Sequence, residues 1–385
     1  MKMMKTPTNA WELPWRGKMV PHAVLDILRG CNISCRACYN TDDSAPKPVA
    51  QVERELDDLL QLRRLSSVSI LGGEVTLHPE LLDIIRSVRR RGLDVELVTN
   101  GLDVDPELCR QLRDAGLNII YFHIERGQQR PDLPESTAEA VRELRREKVR
   151  MAGDAGLDTG LTVTAFPGEF DDVRDAVSLT LETPGVNYLL VTLYRDNSGI
   201  KSMRGNILDG FAGEGVPSPE ETRQDNREMA VRMHEEFGFE PFGCMSSNLD
   251  TRDPRWLSYL IGVVYDGQGG HYAASVRPSM LEKAALLCSG IFKGRYPMYF
   301  EQDPDRFRRQ LSLNGILGGD RKSNRKLLER AGRPGAQMSA KRLLFQNPAE
   351  LSGDGQLIYC RDCPDAVMKE GKLAPVCCAD HVQVQ

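Results

Sequence analysis

HAVLDILRGCNISCRAC, residues 22–38, runs a β-rich apolar segment directly into three cysteines separated by three residues and then by two. If the run is a strand of a parallel sheet, the cysteines stand just past its carboxyl end, where α/β folds bind their ligands. Three thiolates on one loop can hold a 4Fe-4S cluster with one iron left open, or three of the ligands of a zinc ion. Cysteines that ligate nothing are the remaining alternative. A disulfide framework does not suit an odd count.

The same kind of run recurs. His22 to Arg29, Val68 to Leu71, Asp94 to Thr99, Asn118 to Ile124, Gly160 to Phe166 and Val186 to Leu193 are six β-rich stretches, separated by segments of helical period. Val52, Leu56, Leu59, Leu60 and Arg63 fall on one helical face, and helices are expected over Pro79 to Gly92, Pro106 to Gly116, Glu135 to Ala155 and Asp171 to Glu182. Six βα units predict an α/β fold, a partial (β/α)6 TIM-like barrel, with a doubly wound open sheet as the alternative.

Composition narrows the function classes. The chain has 385 residues, 41% of them apolar, and a formal charge of -5 with Lys and Arg dispersed among Asp and Glu, so no nucleic-acid partner is indicated. No stretch approaches the length of a membrane span, and MKMMKTPTNAWELPW lacks the apolar run of a secretory signal. A cytoplasmic protein that is not integral to a membrane is expected. In a reducing compartment its ten cysteines point to metal or redox chemistry rather than five disulfides.

Polar and chemically active residues follow the runs in turn. After Cys31, Cys35 and Cys38 come Gly72, Gly73 and Glu74 behind the second run, Asn100 and Gly101 behind the third, His123 and Glu125 on the fourth, Thr164 on the fifth, and Tyr194, Arg195 and Asp196 behind the sixth.

CNISCRAC resembles the CxxxCxxC signature of the radical S-adenosylmethionine (SAM) superfamily, LGGEVTLHPEL is similar to its GGE motif, and VTNG matches a common pattern behind its third strand. Two positions depart from the usual pattern: Ala37 stands where an aromatic residue often precedes the last cysteine, with Tyr39 just beyond it, and Val75 follows GGE in place of proline. The resemblance implies that Cys31, Cys35 and Cys38 hold a 4Fe-4S cluster whose open iron chelates SAM, and that Gly72, Gly73 and Glu74 meet the SAM ammonium. Asn100, His123, Glu125 and Thr164 are candidates for its ribose, its carboxylate or the substrate; Arg126 and Arg195 are candidate anion ligands or ordinary ion pairs.

Beyond residue 200 the βα rhythm stops at GNILDGFAGEGVPSPEE, and a helix is expected from Glu220 to Phe237. The chain ends in YCRDCPDAVMKEGKLAPVCCADHV, which in isolation would also suit zinc. It resembles the shortened cysteine-bearing tails of radical SAM subfamilies, related to the SPASM and twitch extensions. The resemblance implies a second, auxiliary 4Fe-4S cluster on Cys360, Cys363 and Cys377, with Cys378, Cys244, Cys288 or a non-protein group as fourth ligand. Cys244 and Cys288 otherwise read as buried apolar thiols, and Cys109 as core. The expected organisation is an N-terminal extension (1–21), a barrel core (22–200), a substrate-associated region (201–350) and an auxiliary-cluster tail (351–385).

The function implied is reductive cleavage of SAM to a 5'-deoxyadenosyl radical, with an electron from flavodoxin or ferredoxin, and hydrogen abstraction from a small-molecule or lipid-like metabolite. Only about 21 residues precede the first strand, so a peptide-recognition domain is not expected there, and maturation of a ribosomal peptide ranks second. A non-catalytic metal-binding barrel is the alternative from another class. A thioredoxin-like enzyme using the CxxC at Cys360 lacks the fold that motif normally has.

Overall fold

After a two-residue strand β1 (Trp11–Glu12), six parallel strands lie side by side in the order in which the chain makes them: β2 (His22–Leu28), β3 (Ser67–Gly72), β4 (Asp94–Thr99), β5 (Ile119–His123), β6 (Asp158–Ala165) and β7 (Val186–Leu193). Unbroken order is the decisive feature, because a doubly wound sheet reverses direction at a switch point and a barrel does not. The computed structural model describes residues 10–38, 40, 43–195, 224–298, 304–317, 320–352 and 355–379. Tyr39, Asp196, the GNILDGFAGEGVPSPEE stretch and the first residues of the helix expected from Glu220 lie outside them.

Helices α1 (Val49–Leu62), α2 (Leu81–Arg90), α3 (Pro106–Ala115), α4 (Ala138–Asp154) and α5 (Phe170–Glu182) connect these strands. Their starts are set by local chemistry. Asp105 accepts from the Leu108 amide at 2.7 Å with Pro106 in the first turn, and Gly116 ends α3 in the left-handed region at φ 102°. The Thr137 hydroxyl caps α4, which therefore begins at Ala138, three residues after the start expected at Glu135. Pro79 does not open α2 as expected; it sits in the turn between a 3-10 segment, Val75–Leu77, and a helix that begins at Leu81.

The sheet does not stop at β7. Strands β8 (Gly243–Ser246), β9 (Pro254–Tyr265), β10 (His271–Ser275) and β11 (Gln337–Gln346) extend it, with β11 pairing parallel to β7, β9 antiparallel to β11, and β8 and β10 flanking β9. A seventh parallel strand thus comes from the region beyond residue 200, and the sheet runs across that point of the sequence. Helix α6 (Asn226–Phe237), capped by Asp225, packs with α1–α5 on the outer face, whereas α7 (Met280–Lys293), α8 (Pro304–Leu317) and α9 (Arg321–Ala331) belong to the extension.

Among the described residues no strand pairing joins the edge at β2 to the edge at β1, and the C-terminal tail bridges them. Arg361 donates its amide to Ser246 at the end of β8, at 2.9 Å, while the hairpin β12 (Ala366–Lys369) and β13 (Lys372–Pro375) packs Val367 and Ala374 against Val24 of β2. Covering an open strand edge in this way removes unpaired backbone groups from solvent.

Candidate functional site

Gly73 brings the ends of β2 and β3 together. Its amide donates to Leu28 at 2.8 Å, the Glu74 amide donates to Gly30 at 2.8 Å, and a Cβ on Gly73 would collide with the Gly30 carbonyl oxygen. Gly72 is equally constrained by Leu28. The two glycines therefore serve first to seat the β3 turn against the strand exit that carries the cysteines.

Glu74 then ties that turn to β4. Its side chain is 0% exposed; Oε1 accepts from the Thr76 amide at 3.1 Å and from the Thr76 and Thr99 hydroxyls at 2.6 Å, and Oε2 accepts from the Asn100 amide at 2.7 Å. Oε2 keeps one lone pair beyond that bond. Asn100 continues the chain of contacts, its Nδ2 donating to Asn32 at 2.7 Å and lying 3.9 Å from Cys31 Sγ.

On the far side of the loop, Ser34 and Cys35 pair antiparallel with Gln129 and Gln128, and the Arg36 amide donates to Gly127 at 3.2 Å. The Cys38 amide donates to the Cys35 carbonyl at 3.2 Å, folding the last turn. Burial pushes the Cys31 and Cys35 thiols up, and the charges of the other cysteines with Glu74 beside Cys31 and Glu125 beside Cys35 add to it. Such a set is ill-suited to bare thiolates and well-suited to a cationic centre that relieves their repulsion.

His123, Glu125 and Thr164 also come together. The Thr164 amide donates to Glu125 Oε2 at 2.5 Å, and His123, 28% exposed on its side chain, places Nε2 3.2 Å from Glu125 Oε1. Arg126 is taken by Asp172 at 2.8 Å, and Arg195 is bound by Glu350 at 3.2 Å and by Asn347, so both are engaged in ion pairs.

The tail forms a second group of thiols. Cys360, Cys363 and Cys378 are buried and Cys377 half-buried, Cys360 and Cys363 in a cluster with Leu13, Trp15, Val20, Met245, Trp256 and Tyr296. The Cys363 thiol donates to Cys360 and that of Cys378 to Cys377, which pushes Cys363 and Cys378 up and holds Cys377 down. The Ala349 amide reaches Cys377 Sγ at 3.3 Å, and Arg63 donates to the Cys363 carbonyl at 2.7 Å. Apolar packing around Cys360 and Cys363 and an N–H donor to the Cys377 sulfur fit an iron-sulfur centre.

Among the described residues no three Cys, His, Asp or Glu side chains converge on one ion-sized point. The fit of both groups is therefore one of loop placement and surroundings. Cys244 is not with the tail thiols; it faces the Ala10 carbonyl at 3.7 Å. Cys109 is buried in the core as expected, whereas Cys288, expected to be buried, is exposed on α7 because that helix turns its apolar side outward.

Sequence reasoning missed the inner side of the sheet. A cavity of about 1470 Å³ runs from Leu71 and Val98, next to Gly72 and Thr99, past Tyr121, Tyr188 and Arg342 to the space under α7 and α8. Gly160 makes room for the Tyr121 ring that lines it, since any side chain there would strike that ring. The period-2 alternation of inward residues on β3 to β7 was the available signal.

Residues 25–180 match the family model of the radical SAM superfamily. The cofactor-modifying protein of the tungsten-containing aldehyde ferredoxin oxidoreductase of Pyrococcus furiosus is 29% identical over 105 residues, 26% of this chain and 30% of that protein. A PqqA peptide cyclase of Streptomyces rochei is 27% identical over 168 residues, 41% of this chain and 44% of its own. A probable GTP 3',8-cyclase of Pyrococcus abyssi is 26% identical over 112 residues, 28% of this chain and 36% of its own. The chain thus spans less than half the length of each of these curated relatives. Among solved structures, Streptococcus suis SuiB bound to its precursor peptide SuiA aligns at TM-score 0.37 and 16% identity, over 50% of this chain and 42% of that one. No helix among the described residues is long and apolar enough to cross a membrane.

Proposed function

We propose that this chain, which carries a radical SAM domain over residues 25–180, is an enzyme that holds a 4Fe-4S cluster on Cys31, Cys35 and Cys38, binds SAM beside it, and removes hydrogen from an organic substrate held in the sheet's inner cavity. When bound, the cluster and SAM supply a one-electron cleavage that yields a 5'-deoxyadenosyl radical, the electron coming from flavodoxin or ferredoxin.

The observation that carries this is the clasp of Gly73, Glu74 and Asn100 on the cysteine loop, which fixes the ligands against the turn that would receive the SAM ammonium. In this role Gly72 and Gly73 offer backbone carbonyls and Glu74 its remaining lone pair. Asn100 orients the loop at Cys31. Glu125, fixed by the Thr164 amide, holds His123 at the rim as a polar contact for ribose or substrate. Tyr121 and Tyr188, ring centroids 5.9 Å apart, narrow the cavity beneath and limit water there.

The tail thiols Cys360, Cys363 and Cys377, with Cys378 beside them, would hold a second cluster that takes an electron from the substrate or binds it. Trp15 and Trp256, packed with Cys360 and Cys363, would keep solvent from that cluster. The favoured substrate is a small or lipid-like molecule, which the size and largely apolar walls of the cavity suit. A peptide substrate is the second choice, supported by the relatives named as PqqA peptide cyclases, one of which matches 46% of this chain.

The test is iron and sulfide content after anaerobic reconstitution, with 5'-deoxyadenosine followed under dithionite. About eight irons per chain are expected, falling to about four in Cys31/Cys35/Cys38→Ala with nucleoside formation lost. A loaded wild type that yields no nucleoside would sink the catalytic assignment, and four irons falling to none would leave the tail without a cluster.

A further inference from the structure

Helix α7 is built inside out. Met280, Leu281, Leu287, Ile291 and Phe292 follow the spacing of a single helical face, and that face is turned to solvent: Met280 and Ile291 are each 75% exposed, and Phe292 is 84% exposed. Its polar side turns inward instead. Glu282 accepts from Asn314 of α8 at 2.8 Å and from Gln310, and Gly290 is pressed beneath the Tyr296 ring. Leu281 and Phe292 border the inner cavity, but Met280, Leu287 and Ile291 lie outside it, and folding alone does not place such a row of large apolar side chains in water, so the face is shaped for something outside the described fold.

Charge selects the partner. Helices α7, α8 and α9 together carry ten Lys or Arg against three Asp or Glu, in a chain of formal charge -5. Lys293, Arg295 and Arg309 are exposed and line, with Leu281 and Phe292, the place where the inner cavity meets solvent. A second copy of the chain would oppose this basic surface with an identical one across a two-fold axis. An apolar helical face flanked by Lys and Arg matches instead the layered chemistry of an anionic bilayer, with acyl chains below phosphate groups.

We propose that α7, with Lys293, Arg295 and Arg309 beside it, docks this protein on an anionic membrane surface. The apolar face lies in the headgroup layer, and Lys293, Arg295 and Arg309 meet the phosphates. Docking sets the cavity opening at the plane of the membrane, which suits an amphiphilic substrate of the enzyme proposed above; the docking itself does not depend on that proposal.

The experiment is flotation of the reconstituted full chain with vesicles of phosphatidylcholine alone or of three parts phosphatidylcholine to one part phosphatidylglycerol. Partition should be about tenfold stronger into the anionic vesicles and should fall with salt. Ile291→Ser/Phe292→Ser and Lys293→Glu/Arg295→Glu/Arg309→Glu should each weaken it by about tenfold or more, with circular dichroism unchanged. Equal or absent partition into both vesicle types, or variants that float like wild type, would overturn the proposal. So would a dimer that Ile291→Ser/Phe292→Ser turns into a monomer. Flotation does not read nucleoside formation, so a chain that floats but never cleaves SAM loses the enzyme and keeps the docking surface.

Discussion

The buried carboxylate of Glu74 accepts the backbone amide of Asn100 at 2.7 Å, joining the exits of two neighbouring strands directly beneath the loop of Cys31, Cys35 and Cys38. Both residues follow apolar strands, and both contact the cysteine loop through the next link: Glu74 by its amide to Gly30 and Asn100 by its side chain to Asn32. The position of the thiols is thus set by residues that carry no sulfur.

Glu74→Gln keeps the shape of the side chain and replaces one acceptor oxygen with an N–H donor that must face another donor. A loss of about 1–3 kcal/mol is expected from the unmet buried groups. Urea midpoints at pH 7 measure it, and iron content should fall in the same variant. An unchanged midpoint would mean that the carboxylate does not hold the strand ends together.

Gly73→Ala drives a methyl group into the Gly30 carbonyl, whereas Gly30→Ala meets nothing within 4 Å. The first should cost about 2 kcal/mol or more and reduce iron at the loop; the second should stay within about 0.5 kcal/mol of wild type. Equal behaviour of the two variants in urea melts and iron assays would remove the steric account of the GG pair.

His22 lies in the interior of the barrel between Ser67 and Ser69, each at 2.8 Å, with Glu96 at 3.7 Å, Asp365 at 3.8 Å and Arg63 donating to its carbonyl. Burial, reinforced by the Arg63 charge, holds its imidazole down at about 3. The unfolded chain therefore takes up a proton near pH 6.5 that the folded chain refuses, and this contribution to stability is full above that pH and lost as pH falls toward 3. Relative to His22→Gln, wild type should lose about 1.4 kcal/mol per pH unit between pH 6 and pH 4. Denaturant titrations of the pair at several pH values measure the slope; parallel curves would show that the imidazole is protonated in the fold.

Arg63 binds three carbonyls, those of His22 at 2.7 Å, Cys363 at 2.7 Å and Pro364 at 3.2 Å, and so fastens the tail to the start of β2. Arg63→Met leaves buried carbonyls unpaired and should loosen the tail by about 2–4 kcal/mol. Limited proteolysis should cut near residue 360, and iron should drop by about half while nucleoside formation at the loop persists in part. Wild-type resistance to protease would show that the hairpin alone holds the tail.

Much of the core was legible because parallel strands and their crossover helices obey short-range rules. Asp105 before Pro106 and Gly116 after Ala115 mark α3 within one turn, and the six apolar runs coincide with β2 to β7 to within two residues at their ends. The extension was not legible. Gln337–Gln346 reads as mixed polar sequence, since on β11 the inward side lines a cavity and Lys341 is buried by donating to the carbonyls of Thr183, Pro184 and Val186. Periodicity records which residues share a face, and it carries no information about whether that face looks inward, as on α1, or outward, as on α7.

By itself the sequence determined where the six strands lie along the chain, the two ends of α3 and the grouping of cysteines at 31–38 and 360–378, because each depends on neighbours a few residues apart. Tertiary structure alone decided that Glu74 reaches Asn100, that β11 extends the parallel sheet, that the tail bridges its two open edges, and that α7 exposes its apolar side. Each of those brings together groups far apart in the chain, and the balance of burial and hydrogen bonding that settles such contacts exists only once the chain is folded.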